Sequence, residues 1–537
     1  MLSRSGFRKN LKPGWIILAV CIFSIASIAR LVPGPRIIDD SYITYRYARN
    51  ILAGNGFVYN PGERVLGTTT PLYTLLLVLI GSITGGVQAP FPEISLIMNA
   101  FVDGLTCLLL IQLGRHLSKP FAGVGAAFVW AIAPYSVTFA VGGLETSLYV
   151  LLIVATVTEY VMQRYRLAWL LAALAFLTRP DALILIAPLG LDRLTVWLGW
   201  RYRRKIEVRT LLVEALIFLI PTISWLTFAT LYFGNPLPHS IAAKSLAYRL
   251  PETAALVRLV QHYATPFLEH LTFGTGFIVA GFSINIFLFL LGSLSAIRNQ
   301  ARVWPWVSYP VLYFATFAIA NPLIFRWYLT PPLPAYILTI LMGAEGLLRQ
   351  LFGINNIAQP RNHWKNPVFK ALSSILIILV PTFLHIRGWT LHPDHGSSRP
   401  APGMAFIQLE LDYQRAVETL SKELSTFRST PLIAAGDVGV IGYFSGARIL
   451  DTVGLNSPVS TSYYPLDASY YSINFAIPPN LILDLKPDYI IILEIYGREG
   501  LLKQPGFWNM YDLVTTIPTD IYGSNGMLLF RKSRPPD

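Results

Sequence analysis

Ile38-Asp39-Asp40-Ser41-Tyr42-Ile43-Thr44-Tyr45-Arg46-Tyr47-Ala48-Arg49-Asn50 is the most unusual stretch of this chain, and it runs on through Gly54-Asn55-Gly56-Phe57-Val58-Tyr59-Asn60-Pro61-Gly62-Glu63-Arg64-Val65. It follows an apolar run from Trp15 to Leu31 that is long enough to begin a membrane protein. Two adjacent acids just past such a run are costly if they tuck toward the bilayer, and Asp at membrane depth is usually functional. The plainer reading is a solvated helix cap, because Asp is a favoured N-cap residue. Spacing alone does not choose between them, so the surroundings must.

Working outward, the 537 residues are 53% hydrophobic and only 13% charged, about half the charge of an ordinary soluble domain, which is about 25%. The mean hydropathy is +0.51. A net charge of +13 does not point to nucleic acid here. The basic residues fall in short clusters between apolar runs, the positive-inside pattern of membrane proteins. These clusters are Arg4, Arg8, Lys9 and Lys12; Arg115 and Lys119; Arg164 and Arg166; Arg201 to Lys205 with Arg209; Arg298 and Arg302; and Arg349, Arg361 and Lys365. Cys21 and Cys107 both lie inside apolar runs. They read as small buried residues, with no disulfide framework or Cys-based metal site. No A-x-A cleavage pattern follows the first run, which predicts an uncleaved first helix.

A span needs about 20 apolar residues. Candidate runs are 15–31, 72–88, 94–113, 121–138, 144–161, 167–179, 181–198, 210–232, 276–296, 304–322, 328–348 and 368–386. After Pro400 charges return to ordinary frequency. There 404–425 predicts an amphipathic helix, and 432–436, 448–453, 488–493 and 527–531 predict short strands of an α/β domain. The expected division is therefore a membrane domain over 1–399 and a soluble domain over 400–537. If every basic cluster is cytoplasmic, the runs alternate without violation from Ile94 onward and the tail ends outside. An inside N-terminus then requires one early run not to cross. The weakest is 72–88, bounded by Gly85-Gly86 and by Pro90 and Pro92. The expectation is about eleven transmembrane helices, one large outer loop over 32–93, and the C-terminal domain outside.

Four more polar features fall on that outer face: Gly142-Gly143-Leu144-Glu145-Thr146, Thr178-Arg179-Pro180-Asp181, Asn235 to His239 leading to Lys244, and Phe325-Arg326-Trp327-Tyr328. Singly each has a bland reading. Glu145 can be an acid at a helix start, Arg179 and Arg326 can snorkel to headgroups, and Arg-Trp-Tyr can be an interfacial belt. Together with Asp39 and Asp40 on one side of the membrane they predict a site.

The stretch from Asp39 through Thr70 resembles the first periplasmic loop of GT-C-fold glycosyltransferases, most of all the arabinofuranosyltransferase-like group. The likeness rests on Asp39, Asp40, Tyr42, Ile43, Thr44, Arg46, Tyr47, Ala48, Asn50, Gly54, Gly56, Tyr59, Asn60, Pro61, Gly62, Glu63, Gly67 and Thr69. Gly143 to Thr146, Thr178 to Asp181 and Arg326 to Tyr328 match further motifs of the group. The membrane half is similar to protein mannosyltransferases and aminoarabinose transferases, and Gly436 to Phe444 resembles their outer domain. One position departs: Thr68 stands where that group often has Tyr.

The resemblance implies an inverting transfer of a sugar, arabinofuranose being the group's example, from a polyprenyl-phosphate donor to a cell-envelope glycan or lipid. It implies Asp39 as the general base, with Asp40 orienting it, binding sugar or helping to hold a metal. The departing lipid phosphate needs fixed cations, and Arg326, Arg179 and Lys244 are the candidates. Glu145, Tyr42, Arg46, His239 and Tyr328 complete the expected donor site. No ligand set in the sequence requires a cofactor. A divalent cation is compatible with the fold class, with Asp40 and Glu145 as its ligands. The expected partners are the lipid-linked sugar, the acceptor and membrane lipids, in a multi-pass protein of the cell membrane with its N-terminus cytoplasmic. The competing readings are a lipid-linked-sugar flippase, which internal repeats would favour and which none supports, and a non-catalytic scaffold that binds cell-wall glycan.

Overall fold

The computed structural model describes residues 13–199, 207–268, 274–353, 366–387, 389, 408–424 and 430–533. The basic residues Arg4 to Lys12, Arg201 to Lys205, Arg361 and Lys365, and the expected domain boundary at 400, lie outside the described residues.

Apolar composition and length make membrane helices of Pro13–Leu31, Phe91–His116, Val208–Phe233, Thr275–Asn299, Ala301–Ala320 and Pro367–Ile386. Among the described residues these six are long and apolar enough to cross, and Pro120–Ile132 and Pro134–Val141, which meet at 45°, make up to a seventh if the pair is one broken span. Residues such as Ile17, Val20, Leu216, Ile220, Ile284 and Phe287 are exposed on these helices, as lipid-facing side chains must be. Cys107 is buried as expected, whereas Cys21 is on an exposed face. Four more helices would have to cross to make eleven: Thr146–Val161, Tyr165–Thr178, Leu183–Trp197 and Leu333–Leu351. Helix Pro71–Thr84 has 14 residues. At 1.5 Å per residue it reaches about 21 Å, short of a hydrocarbon core about 30 Å thick; Tyr165–Thr178 also has 14 residues, so length alone does not tell which of the two crosses.

The run expected at 121–138 is bent rather than straight, because Pro134 has no N–H for the carbonyl of Trp130. An orphaned carbonyl in lipid is costly. Arg30 supplies the missing donors, its Nη2 to Trp130 O at 3.1 Å and its Nη1 to Ala131 O at 2.5 Å. The Arg30 charge is matched by Asp103, with Nε to Oδ2 at 2.8 Å and both side chains fully buried.

The C-terminal domain is a five-stranded sheet: β1 Leu432–Ala435, β2 Arg448–Asp451, β3 Tyr489–Leu493, β4 Tyr511–Ile517 and β5 Met527–Lys532. The order is β2-β1-β3-β5-β4, with β1 parallel to both β2 and β3, and β5 antiparallel to β3 and β4. The expected helix is Gln408–Leu424. Four strands stand where the sequence placed them, and β4 is the addition. It is an edge strand with a register shift between Leu513 and Thr515, so its side chains do not keep the clean alternation that marks a strand in sequence.

Candidate active site

The site is assembled where the segment after the first helix meets the sheet domain. Asp39–Leu52 is a helix with both acids in its first turn and Arg49 in its last, the charge order that the helix dipole favours. It lies along the short helix Gly439–Ser445 that follows β1. Asp39 Oδ2 accepts from Gly439 N and Oδ1 from Val440 N, each at 2.8 Å. Two turns on, Arg46 donates to Gly442 O at 2.5 Å and to Ala447 O at 2.7 Å. Arg49 donates to Tyr443 O at 2.7 Å and lies 3.6 Å over the Tyr443 ring. The approach requires glycine: a Cβ on Gly439 would overlap the Asp39 carbonyl, and one on Gly442 the Tyr59 hydroxyl.

The grip continues beyond the helix. Tyr59 donates to Val438 O at 2.6 Å. Asn60 donates to Ile449 O at 2.9 Å and accepts from Ile449 N at 3.1 Å. Glu63 pairs with Arg448, and Tyr47 donates to Asn456 at 3.2 Å. Much of the motif read as a donor site is therefore a docking surface for the sheet domain. Arg46 is corrected on this ground: its guanidinium also bonds Tyr59 O and Asn60 Oδ1, which leaves no fork for a phosphate. Tyr42 packs in a ring cluster with Tyr45, Tyr443 and Phe444, apart from the cavity.

Above this surface a cavity of about 340 Å³ opens between the two parts. From the membrane part it is lined by Asp39, Asp40, Lys244 and Arg326. From the C-terminal domain it is lined by Glu410, Asp437 and Tyr496. Acids outnumber bases, and burial acts on them. Desolvation first, and then the facing Asp437, push Asp39 well above the usual carboxylate range, against the two backbone N–H bonds that favour its charge. Desolvation also raises Asp437 to about 6; the Tyr413 hydroxyl bond opposes this, and Asp40 and Asp451 add to it. Glu410 is raised by burial and by Asp39 and Asp437. Burial disfavours the Lys244 ammonium, but Tyr328 and Asp40 more than offset it, so the charge is retained.

The remaining expected residues sit beside this cavity and not in it. Arg179 is held between Glu145, Nη1 to Oε1 at 3.2 Å, and Asp181, Nη2 to Oδ2 at 3.0 Å. Two carboxylates already satisfy its fork, so it is not a ready phosphate cation. Tyr328 links this triad to the cavity, its ring 5.0 Å from the Arg179 guanidinium and 5.9 Å from Lys244 Nζ. His239 bonds Leu66 O through its backbone N at 2.8 Å. Its ring Nε2 is buried with no partner among the described residues. Asp40 lines this cavity and Glu145 does not; among the described residues no cluster of three or more His, Cys, Asp or Glu is arranged to hold a metal. Sequence reasoning gave no role to Glu410, Asp437 or Tyr496. For Asp437 the signal was a Gly-Asp pair directly after a strand.

Residues 406–530 match a family model described as "Domain of unknown function (DUF8728)". Over 118 residues the chain is 36% identical to a terminal beta-(1->2)-arabinofuranosyltransferase of Mycobacterium tuberculosis, a stretch that is 21% of this chain and 19% of that relative. The match thus spans about a fifth of the relative's length. Among solved structures, ArnT from Cupriavidus metallidurans bound to undecaprenyl phosphate aligns at TM-score 0.54 and 12% identity, over 97% of this chain and 98% of that one. The archaeal oligosaccharyltransferase AglB from Archaeoglobus fulgidus, in complex with an inhibitory peptide and a dolichol-phosphate, aligns at TM-score 0.55 and 12% identity, over 89% of this chain and 69% of that one. The resemblance drawn from the motif after the first helix thus holds in three dimensions: the chain has the GT-C fold, a polytopic helical membrane part with a C-terminal sheet domain.

Proposed function

We propose that the protein is an inverting glycosyltransferase. It takes a sugar, with arabinofuranose the first candidate, from a polyprenyl-phosphate donor and passes it to a cell-envelope glycan or lipid on the outer face of the membrane. The observation that carries this reading is the cavity lined by Asp40, Lys244 and Arg326 at the seam of a GT-C fold. The relatives support it. One is named for arabinofuranosyl transfer, and two solved neighbours contain a polyprenyl or dolichol phosphate.

The division of labour differs from the one the motif implies. Asp39 has both oxygens engaged by backbone N–H groups. Among the described residues no hydrogen bond takes Asp40. Asp40 is therefore the carboxylate placed to receive the acceptor hydroxyl proton as the new bond forms. Asp39 holds the sheet domain over it. The lipid phosphate gains charge as it leaves, and Lys244 and Arg326, which line this cavity, stabilise it in a site shielded from water. Arg presents two donors in a fork that suits phosphate oxygens. Attack opposite the leaving phosphate inverts the anomeric centre. A divalent cation, if the reaction uses one, belongs to this reading only as a partner of the phosphate.

The reading includes eleven crossings, a cytoplasmic N-terminus and an outer C-terminal domain. Ala468 is exposed on that domain. In whole cells Ala468→Cys should react with a membrane-impermeant thiol reagent; reaction only after lysis would reverse the orientation. The activity is tested on detergent-purified protein with a polyprenyl-phosphate-linked arabinofuranose. Transfer should be lost in Arg326→Ala with weakened donor binding, and partly kept in Arg326→Lys. A well-folded Arg326→Ala that binds donor normally would remove the phosphate role, and wild-type protein that releases no sugar from any lipid-phosphate donor would remove the function.

A further inference from the structure

The parallel half of the sheet presents its carboxyl edge to the cavity. β1 runs out into Gly436 and Asp437, β2 is followed by Val453 and Leu455, and β3 leads to Tyr496; all of these line the cavity. From β1 the chain turns to β2 on one side, through Gly439–Ser445. From β3 it leaves toward β4 and β5 on the other. Neighbouring parallel strands whose connections depart in opposite directions leave a crevice at their carboxyl ends, and open α/β sheets bind ligands there. Here that crevice is part of the cavity that holds Asp40.

Its chemistry is that of hydroxyl recognition. Asp437 accepts one hydrogen bond, from Tyr413 at 2.8 Å to Oδ2, and none at Oδ1 among the described residues. Glu410 is 6% exposed, lines the cavity, and has Oε2 buried with no hydrogen-bond partner among the described residues. A buried acceptor without a donor is costly, and it asks for one from whatever fills the space. The Tyr496 ring beside them, packed on Phe475 at 5.1 Å, offers an apolar face. A sugar ring supplies both O–H donors and a C–H face. A phosphate supplies no C–H face and would be repelled by these acids, whereas Lys244 and Arg326, which line the same cavity, would attract it.

We propose that the carboxyl edge of the C-terminal sheet is a sugar-binding subsite in which Asp437 and Glu410 accept hydroxyl groups of the acceptor, which makes the acceptor a glycan. This rests on the transferase reading given above and narrows it. The lining then divides the substrates: the donor phosphate lies against Lys244 and Arg326, and the acceptor sugar against Asp437 and Glu410. Asp437 and Glu410 are binding residues and take no proton.

The test uses the full chain in detergent with two probes, an arabinofuranosyl trisaccharide for the glycan and undecaprenyl phosphate for the lipid. Asp437→Asn and Glu410→Gln keep shape and remove the charged acceptor. Each should weaken trisaccharide binding, and raise its KM, by about tenfold or more, since hydrogen bonds to charged groups are the stronger ones. Binding of undecaprenyl phosphate should stay near wild type, and the melting temperature should not fall. Trisaccharide binding unchanged in both variants overturns the subsite, as does wild-type protein that binds no trisaccharide. Equal loss of both probes also overturns it, because these acids would then not discriminate. If the trisaccharide binds as expected and no donor is ever turned over, the transferase reading fails and the subsite stands.

Discussion

At Arg30 and Asp103, deep in the membrane half, each charge has its counterpart and each remaining polar atom a partner: Asp103 also accepts from Trp130 Nε1 at 2.9 Å and from Ser147 Oγ at 2.8 Å, and Arg30 spends its other donors on backbone carbonyls and Ser136. At the seam with the sheet domain the accounts are left open. Asp39, Asp40, Glu410 and Asp437 face two cations, and Glu410 has an oxygen with no donor. Both regions bury charge. A closed network costs little once formed and holds helices in place. An open one is kept at a cost to folding, which is the mark of a group waiting for a ligand.

That contrast is broken most directly at its two acids. Asp40→Asn removes a proton acceptor and keeps the shape. Turnover should fall by about 10²- to 10⁴-fold, the usual contribution of a general base, with the melting temperature unchanged. Asp39→Asn should instead loosen the sheet domain, seen as faster proteolysis of the 430–533 region, with a smaller fall in turnover. If Asp39→Asn is the inactive, stably docked variant, the roles are reversed and the motif's first acid is the base after all. At the closed network Asp103→Ala leaves Arg30 uncompensated and should cost about 3–5 kcal/mol, with normal turnover per folded molecule. Retained stability there would show that the pair does not hold the broken span.

The same contrast explains what the sequence made legible. The membrane helices were readable because lipid demands long apolar runs, and the four core strands because Ile433, Ile449 and Ile490 to Ile492 are buried in short apolar stretches. The acids Asp39 and Asp40 were readable because charge beside a span is rare. Arg46 and Arg179 are each held by partners within the protein that the sequence did not announce. An Arg in a motif announces an acceptor, and sequence cannot say whether that acceptor is a substrate phosphate, the carboxylates of Glu145 and Asp181, or a backbone carbonyl 396 residues away in the case of Gly442. Asp437 and Glu410 were not readable, because each acquires its role only when the sheet edge is laid against the segment after the first helix.

An intermediate effect concerns pH. Asp437 and Asp451 are both raised by burial to about 6 from 3.8, and Asp39 and Glu410 are raised as well. The folded protein therefore holds more protons than the unfolded chain between about pH 4 and pH 6, and stability falls as pH rises through that window. A shift of about two units is at most about 3 kcal/mol for one group. Melting in detergent should be higher near pH 4.5 than near pH 7, and Asp437→Asn should flatten the slope. A slope of the opposite sign would mean that these carboxylates are favourably paired, and the seam would then be a closed network like Arg30 and Asp103.

The smallest expected effect lies at the rim of the same docking surface. Arg448 pairs with Glu63, with side-chain exposures of 58% and 28%. Water competes for such a pair, and exposed ion pairs contribute between about 0 and 1 kcal/mol. Arg448→Ala should therefore leave docking, melting temperature and turnover close to wild type, and whatever it changes should shrink further in high salt. The interior arm of the surface is different in kind. Arg46 is 5% exposed and bonds Gly442 and Ala447 across the seam, so Arg46→Ala strands two buried carbonyls, each at about 1–3 kcal/mol. Proteolysis rates of the two variants, measured side by side in detergent, compare them on one scale. If Arg448→Ala releases the sheet domain as readily as Arg46→Ala, the rim carries the docking and the buried grip of Asp39, Arg46 and Arg49 does not.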